Sequence, residues 1–380
     1  MDSQNQKSDL EITIENEEQL HEPHQMRKTK KKRFARADVW LKQHPRKGWL
    51  LLTSLLLVIG AGLLVAVSGS SILSVYGRET RTFPPEYYSK LTGLKVSKSD
   101  SERPVTAVMI ENSPDARPQS GLAQADTVFE SVAEGGITRF LVLYQEDKPS
   151  LIGPVRSVRP QFASLVAAYD AGLAHVGGSD IPLKKLRSGK IKDLDQFFNA
   201  DTYWRATDRY APHNVYTSAT KLDALNKAKG YTKSEFTPWQ RSKVAVGAKT
   251  PTARSITIPV STGLFEVAYK WDKAKNHYVR SEGGAPHKDR EKGSITPKVV
   301  IAMQVPHDVI RDSNGYSYPQ VNSHGKAWIF QNGTVKEVKW SKNDDKSMIS
   351  FTDSEGKAVT LSPGKTWVTL IRPDAKPTWK

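Results

Sequence analysis

"DTVFESVAEGGITRFLVLYQ", residues 126–145, decides the architecture of this 380-residue chain. Asp126–Ala133 and Ile137–Gln145 are rich in β-branched and aromatic residues, and Gly135-Gly136 between them is the signature of a two-residue hairpin turn. With those glycines as the loop, Glu134 faces Ile137, Val132 faces Arg139 and Glu130 faces Leu141. Side chains alternate along a strand, so Glu130, Glu134 and Arg139 are expected on one face. Phe129, Ser131, Ala133, Phe140 and Val142 then form the other.

The neighbouring segments mix strands with helices. Upstream, Val105–Ile110 of "RPVTAVMIEN" (103–112) reads as a buried strand. Downstream, "PQFASLVAAYDAG" (160–172) reads as a helix with proline in its first turn and glycine as its stop. "LAHV" (173–176) reads as a short strand, and "IPLKKLRSG" (181–189) and "SATKLDALNKAKG" (218–230) as helices. This is an α/β (α+β) domain over 90–235. After a linker at 236–250 the helical period disappears. "SITIPV", "FEVAYKWD", "NHYVRSE", "KVVIAMQV", "GKAWIFQNG", "TVKEVKW", "SMISFTD", "AVTLSPG" and "KTWVTLIRP" are short, β-branched or aromatic, and divided by turn residues. They predict a mainly antiparallel β domain over 251–374.

The N-terminal part has a different character. "WLLLTSLLLVIGAGLLVAVS" (49–68) has no charged residue, and twenty helical residues span ~30 Å, the thickness of the bilayer's hydrocarbon. The lead of 48 residues is too long for a cleaved signal peptide, so an uncleaved transmembrane helix is expected. Residues 27–47 carry ten Lys/Arg against one Asp, which holds the N-terminus in the cytoplasm and sends the rest outside. Residues 1–48 read as a cytoplasmic tail, acidic and then basic, and 69–89 as a stalk. The formal net charge of +16 suits a polyanionic partner, and the exported topology argues against nucleic acid. The absence of cysteine removes disulfides, thiolate catalysis and lipid attachment at cysteine.

Several motifs in order are familiar. "RPVTAVMIEN", "ARPQSGLAQADTVFESVAEGGITRFLVLYQ", "GPVRSVRP", "HVGGS" and "APHNVY", followed by "GGAPHKD", "VKWSK" and "LSPGKTWVTLI", resemble the YerB family of bacterial surface proteins. The resemblance covers about residues 90–374. It implies an extracytoplasmic cell-envelope protein of Gram-positive-type bacteria, tied to wall growth or division, with no established reaction. Many relatives are held by a lipidated cysteine; this chain lacks that residue and offers the apolar segment instead.

The chemistry-bearing residues lie in four motifs. Glu130 and Glu134 are four residues apart, ~13 Å along a strand, which exceeds the ~5 Å or ~6.5–9.5 Å spacing of glycosidase carboxyl pairs. A hydrolase would need a second carboxylate, with Asp126, Asp180 and Asp201 as open choices. In "GPVRSVRP" (153–160), Arg156 and Arg159 flank Ser157 just before a helix N-terminus, where guanidinium forks and free N–H groups suit an anion. The same arginines could instead neutralise the hairpin glutamates. "HVGGSD" supplies His175, Gly178 and Ser179 at a strand end, and "APHNVY" supplies His213 and Asn214 on a loop. The candidate catalytic residues are therefore Glu130, Glu134, His175 and His213. The candidate ligand-binding residues are Arg139, Arg156, Ser157, Arg159, Gly178, Ser179 and Asn214. No HxxxH or HExxH spacing appears, so neither metal nor cofactor is expected. Trp271, Trp328, Trp340 and Trp367 read as core, and His287 and Asp289 of "PHKD" stand near a cleft between the two parts. The expected role is binding an anionic wall polymer or scaffolding wall-synthesis and division proteins, at the cell membrane. The alternative is an enzyme that cleaves or transfers an anionic wall glycan.

Overall fold

The computed structural model describes residues 85–380, together with Lys42, Thr53, Ser54 and Leu56. The apolar segment 49–68 expected to cross a membrane lies outside the described residues, apart from Thr53, Ser54 and Leu56, which are helical. Among the described residues no helix is long and apolar enough to span a bilayer. The expected tail, apart from Lys42, and most of the stalk also lie outside them.

Residues 85–380 form one compact unit. The first half supplies β1 (Thr106–Glu111), β2 (Thr127–Glu134), β3 (Ile137–Tyr144), β4 (Gly172–His175) and β5 (Asp193–Asp195). Its helices are α1 (Lys98–Glu102), α2 (Pro160–Ala167), α3 (Asp180–Arg187) and α4 (Ala219–Ala228). The second half supplies β6 (Ser255–Ile258), β7 (Val267–Asp272), β8 (His277–Glu282), β9 (Ala285–Pro286), β10 (Val299–Gln304), β11 (His324–Gln331), β12 (Thr334–Ser341), β13 (Ser350–Thr352), β14 (Thr366–Ile371) and β15 (Thr378–Trp379). So the α/β half and the β-rich half are both present.

They are joined in one sheet. Its ten strands run in the order β13-β12-β11-β10-β14-β2-β3-β1-β4-β5. β14, near the C-terminus, lies parallel to β10 on one side and to β2 on the other, with Trp367 opposite Val128 and Thr369 opposite Glu130. A second sheet, β9-β8-β7-β6-β15, is antiparallel. The β-rich half is thus not purely antiparallel, because β14 must reach the interior position between the halves. "AVTLSPG" is not a strand; Ala358 and Leu361 make only isolated bridges, to Thr352 and Arg241.

Buried central strands read as continuous apolar runs because both faces are covered. β1 and β14 are buried at every position. On one face, Met109, Phe129, Leu141, Ile301 and Leu370 meet Phe162 and Leu165 of α2 and Leu186 of α3. On the other, Ile110, Val128, Phe140, Val300 and Trp367 meet Leu222 of α4 and Ile256, Val267 and Tyr269 of the second sheet. Each such side chain contributes ~1.5–3 kcal/mol by leaving water. The segment expected as a linker, 236–250, is in part a packed strap. Trp239 lies 6.4 Å from Phe129 and 5.7 Å from Phe351, ring to ring, and donates to the Ile349 carbonyl at 2.7 Å. Arg241 holds the Ser362 carbonyl and Thr366 Oγ1.

The hairpin turn matches its sequence: Gly135 and Gly136 take φ of +57° and +77°, as a type I′ turn requires. Its register does not. Glu134 opposes Ile137 as expected, but Val132 opposes Thr138, Ser131 opposes Arg139 and Glu130 opposes Phe140, with a bulge between Val132 and Glu134. One extra residue in one strand reverses the side-chain alternation beyond it. Glu130 therefore points toward the second sheet, whereas Glu134 and Arg139 point to the α2 side. Phe129 and Phe140, expected on one face, lie in the two different cores.

Candidate functional site

The bulge delivers Glu134 to a polar basin at the N-terminus of α2. Glu134 pairs with Arg159 Nε and, at 3.4 Å, with Arg139 Nη2. Arg139 also donates to the Ser157 carbonyl at 2.8 Å, and Arg159 to that of Val158 at 2.8 Å. Glu111, at the end of β1, stands directly opposite Arg139 in the β1–β3 ladder, so it shares this face. Its Oε2 lies 3.2 Å from Arg156 Nε and 3.0 Å from His213 Nδ1, and its Oε1 accepts from Ser113 Oγ at 3.0 Å. Tyr318, from the other half, donates to Asp312 Oδ2 at 2.8 Å and reaches Glu134 Oε1 at 3.4 Å.

Three guanidiniums thus meet three carboxylates, those of Glu111, Glu134 and Asp312. Burial, with the charge of Arg156 beside it, brings the Arg139 guanidinium down to about 10, where it keeps its charge at neutral pH. Burial lowers Arg159 as well. Arg156 differs from both. Its side chain is 26% exposed, its Nε makes no directed hydrogen bond, and among the described residues its two terminal nitrogens make none either. Glu111 Oε2 is likewise buried without a directed donor. Ser179 Oγ, beside the Tyr318 hydroxyl, is a third buried atom in that condition.

The other expected site residues have different roles. Glu130 is fully buried on the opposite face, where Arg280 of β8 binds it at 3.0 Å and Trp367 Nε1 and Thr369 Oγ1 donate to it. Arg280 also donates to Tyr269 OH at 2.6 Å and His287 Nδ1 at 2.9 Å, and lies 4.2 Å from the Trp367 ring centre. Burial opposes the Arg280 charge, but Glu130, Tyr269 and Glu282 outweigh it and hold the guanidinium above its ordinary value. Burial raises Glu282 to about 7 and, with the nearby Arg280 and Arg117, keeps His287 neutral. This cluster fastens the halves together and has no route for a substrate. His175 is wholly buried, with Nδ1 2.7 Å from the Gly177 carbonyl and Nε2 3.1 Å from Asp193 Oδ1, so both nitrogens are engaged within the protein and neither faces a ligand. Gly178 permits close approach: a Cβ there would sit 2.6 Å from Val158 Cγ1. Asn214 holds its own loop, bonding Arg205, Ala206 and Arg209. The four β-region tryptophans are buried, as expected.

The structure therefore brings together Glu134, Arg139, Arg156, Ser157, Arg159, Ser179 and His213, and leaves Glu130 and His175 apart. It adds Glu111, Ser113, Asp312 and Tyr318. Among these, Glu111 shares the parity of Met109 and Ala107 at the end of a buried strand, a signal that went unread in the sequence. Asp312 and Tyr318 come from the distant half and carry no local signal. Among the described residues no cluster of His, Asp or Glu has a metal-binding arrangement. A concavity of about 610 Å³ on the second sheet is lined by Ser255, Thr257, Ala268, Lys270 and Lys380 among others, with no carboxylate or histidine. The basin, not that concavity, has the convergent chemistry.

Residues 91–232 match the family described as protein of unknown function (DUF3048), N-terminal domain, and residues 256–368 match its C-terminal domain. The chain belongs to this family. Among its YerB-like relatives is a Bacillus subtilis (strain 168) protein named "Putative lipoprotein YerB", 36% identical over 290 residues, which are 74% of this chain and 85% of that one. The crystal structure of YerB from Bacillus subtilis superposes with a TM-score of 0.68 at 33% identity, covering 77% of this chain and 99% of that one. The shared fold is that of the YerB crystal structure.

Proposed function

We propose that this chain is a membrane-attached cell-envelope protein whose basin binds a singly charged anionic group of a wall polymer. The carrying observation is Arg156, a part-exposed guanidinium whose terminal nitrogens have no hydrogen-bond partner among the described residues and which stands beside a buried carboxylate. Such a fork suits bidentate capture of phosphate or carboxylate. The basin's own charges balance, three against three, which favours a monoanion over a polyanionic cluster. The lipoprotein name of the Bacillus subtilis relative supports membrane attachment. The uncharged stretch at 49–68 with its basic flank supports an attachment by helix, with the YerB-like unit outside the cell.

Titration of the full-length chain with a synthetic glycerol phosphate oligomer and with muropeptides tests the reading. Arg156→Lys keeps the charge but loses the planar fork, so affinity for the bound fragment is expected to fall at least tenfold, ~1.4 kcal/mol, with thermal stability unchanged. Equal affinity for wild type and variant contradicts it.

A further inference from the structure

His213 and Glu111 form an arrangement that binding alone does not require. The His213 ring is 23% exposed, and its Nδ1 faces Glu111 Oε2 at 3.0 Å. That contact is not aligned as a hydrogen bond, and Ser113 Oγ lies 3.4 Å from the same nitrogen, but a carboxylate this close favours the proton on Nδ1, which leaves the lone pair on Nε2, a nitrogen with no partner among the described residues. The loop is firmly held. His213 N donates to the Tyr210 carbonyl, Arg209 grips the Asp115 and Pro118 carbonyls, and Asn214 closes the base of the loop. Glu111 is fixed in turn by Ser113, and the same Oε2 that faces His213 faces Arg156. A base and an open guanidinium therefore flank a single carboxylate oxygen.

We infer that the basin is hydrolytic as well as binding, with Arg156 holding a phosphodiester monoanion and His213 Nε2 acting as the base toward the attacking water. This rests on the binding reading above. Water adds to phosphorus while one of its protons passes to Nε2. The P–O bond to the leaving alkoxide breaks, and that proton is returned to the departing oxygen. The products are a phosphomonoester and an alcohol, and His213 is neutral again. Glu111 is a positioning residue: it fixes the tautomer and the ring orientation. Arg156 stabilises charge that grows on the phosphoryl oxygens, a role for which a preorganised donor is effective. A glycosidase pair is not needed, which accords with the separation of Glu130 from Glu134 onto opposite faces.

The test uses the full-length chain in mild detergent, with two probes: a synthetic glycerol phosphate oligomer and phosphatidylglycerol vesicles. Phosphorus NMR is expected to show phosphomonoester from one of them, which identifies wall polymer or lipid headgroup as the source. His213→Asn should lower turnover at least ~100-fold, the usual contribution of a general base, while leaving oligomer affinity within about twofold. Arg156→Lys should lose affinity. Nitrogen-15 NMR of the histidines provides a readout independent of turnover, with His213 expected in its Nδ1–H form. Binding of the oligomer with no monoester from either probe overturns the hydrolytic inference and leaves the binding reading intact. An Nε2–H tautomer, or turnover indifferent to His213→Asn, also overturns it. Absence of binding to both probes and to muropeptides removes both readings.

Discussion

Replacing Arg280 by methionine removes the cation that neutralises the buried junction between the two halves. Glu130 and Glu282 then stay buried, Glu130 keeping Trp367 Nε1 and Thr369 Oγ1 and Glu282 keeping Arg117 at 3.2 Å and Asn112 at 2.6 Å. Breaking a buried ion pair by deleting one partner costs ~3–5 kcal/mol, and the remaining donors keep the second carboxylate from doubling that figure. A loss of about 4 kcal/mol is expected. With a urea slope of ~3 kcal/mol per M for a unit of this size, the unfolding midpoint falls by more than ~1 M. Tryptophan fluorescence and far-ultraviolet circular dichroism of the full-length chain should report one shared transition, because Trp367 sits in the cluster and in the central sheet. Adding Glu130→Gln to the Arg280→Met background should recover at least ~2 kcal/mol, since the unpaired charge is then gone. A loss below ~1 kcal/mol, or a double variant weaker than the single, refutes the description of Arg280 as the neutralising centre of the junction.

Burial raises Asp126 and Glu282 to about 7 each, so between their unfolded values and about 7 both hold a proton when folded and have lost it when unfolded. The stability they contribute is complete below their unfolded values and is lost as pH rises through about 7. From pH 6.5 to 8, above the range in which the neutral His287 acts in the opposite sense, thermal stability should fall by about 1 kcal/mol per group. Asp126→Asn and Glu282→Gln should each flatten the profile, and a stability that climbs over this window contradicts the assignment. Residues 85–245 produced alone lack β14 and should show no cooperative calorimetric transition; a sharp one would mean that the halves do not share a core. Trp239→Ala, which removes a ring between Phe129 and Phe351, should cost ~3–5 kcal/mol by denaturant titration, against under ~1 kcal/mol if the strap merely lies on the surface.

Much of the fold was legible because its signals are local. Paired glycines marked the hairpin, proline and glycine bounded the helices, and eight of the nine expected β segments are strands. The bulge at Val132–Glu134 was not legible, since an extra residue leaves no compositional trace, and it alone moved Glu130 out of the candidate site and Glu134 into it. The parallel seat of β14 was also hidden: "KTWVTLI" announces a buried strand but not its neighbours. Arg280 was hidden for a related reason. In "NHYVRSE" it alternates like a solvent-facing residue, and only the fold brings Glu130 to meet it. His213 and the arginines of "GPVRSVRP" were found from loop chemistry, whereas Glu111 was overlooked as the end of an apolar run.

The seat of β14 also governs how the protein can be made. Thr369 lies 239 residues downstream of Glu130, its neighbour in the sheet. At synthesis rates of ~5–20 residues per second, β2 keeps an unpaired edge for roughly 10–50 s while the chain is still emerging. An open, apolar edge of that kind recruits other strands, so the chain is exposed to mispairing until Thr366–Thr369 arrive to cover it. A chain stopped anywhere ahead of Thr366 is therefore expected to expose both β2 and β10 as edges and to aggregate rather than to fold as a shortened version of the unit.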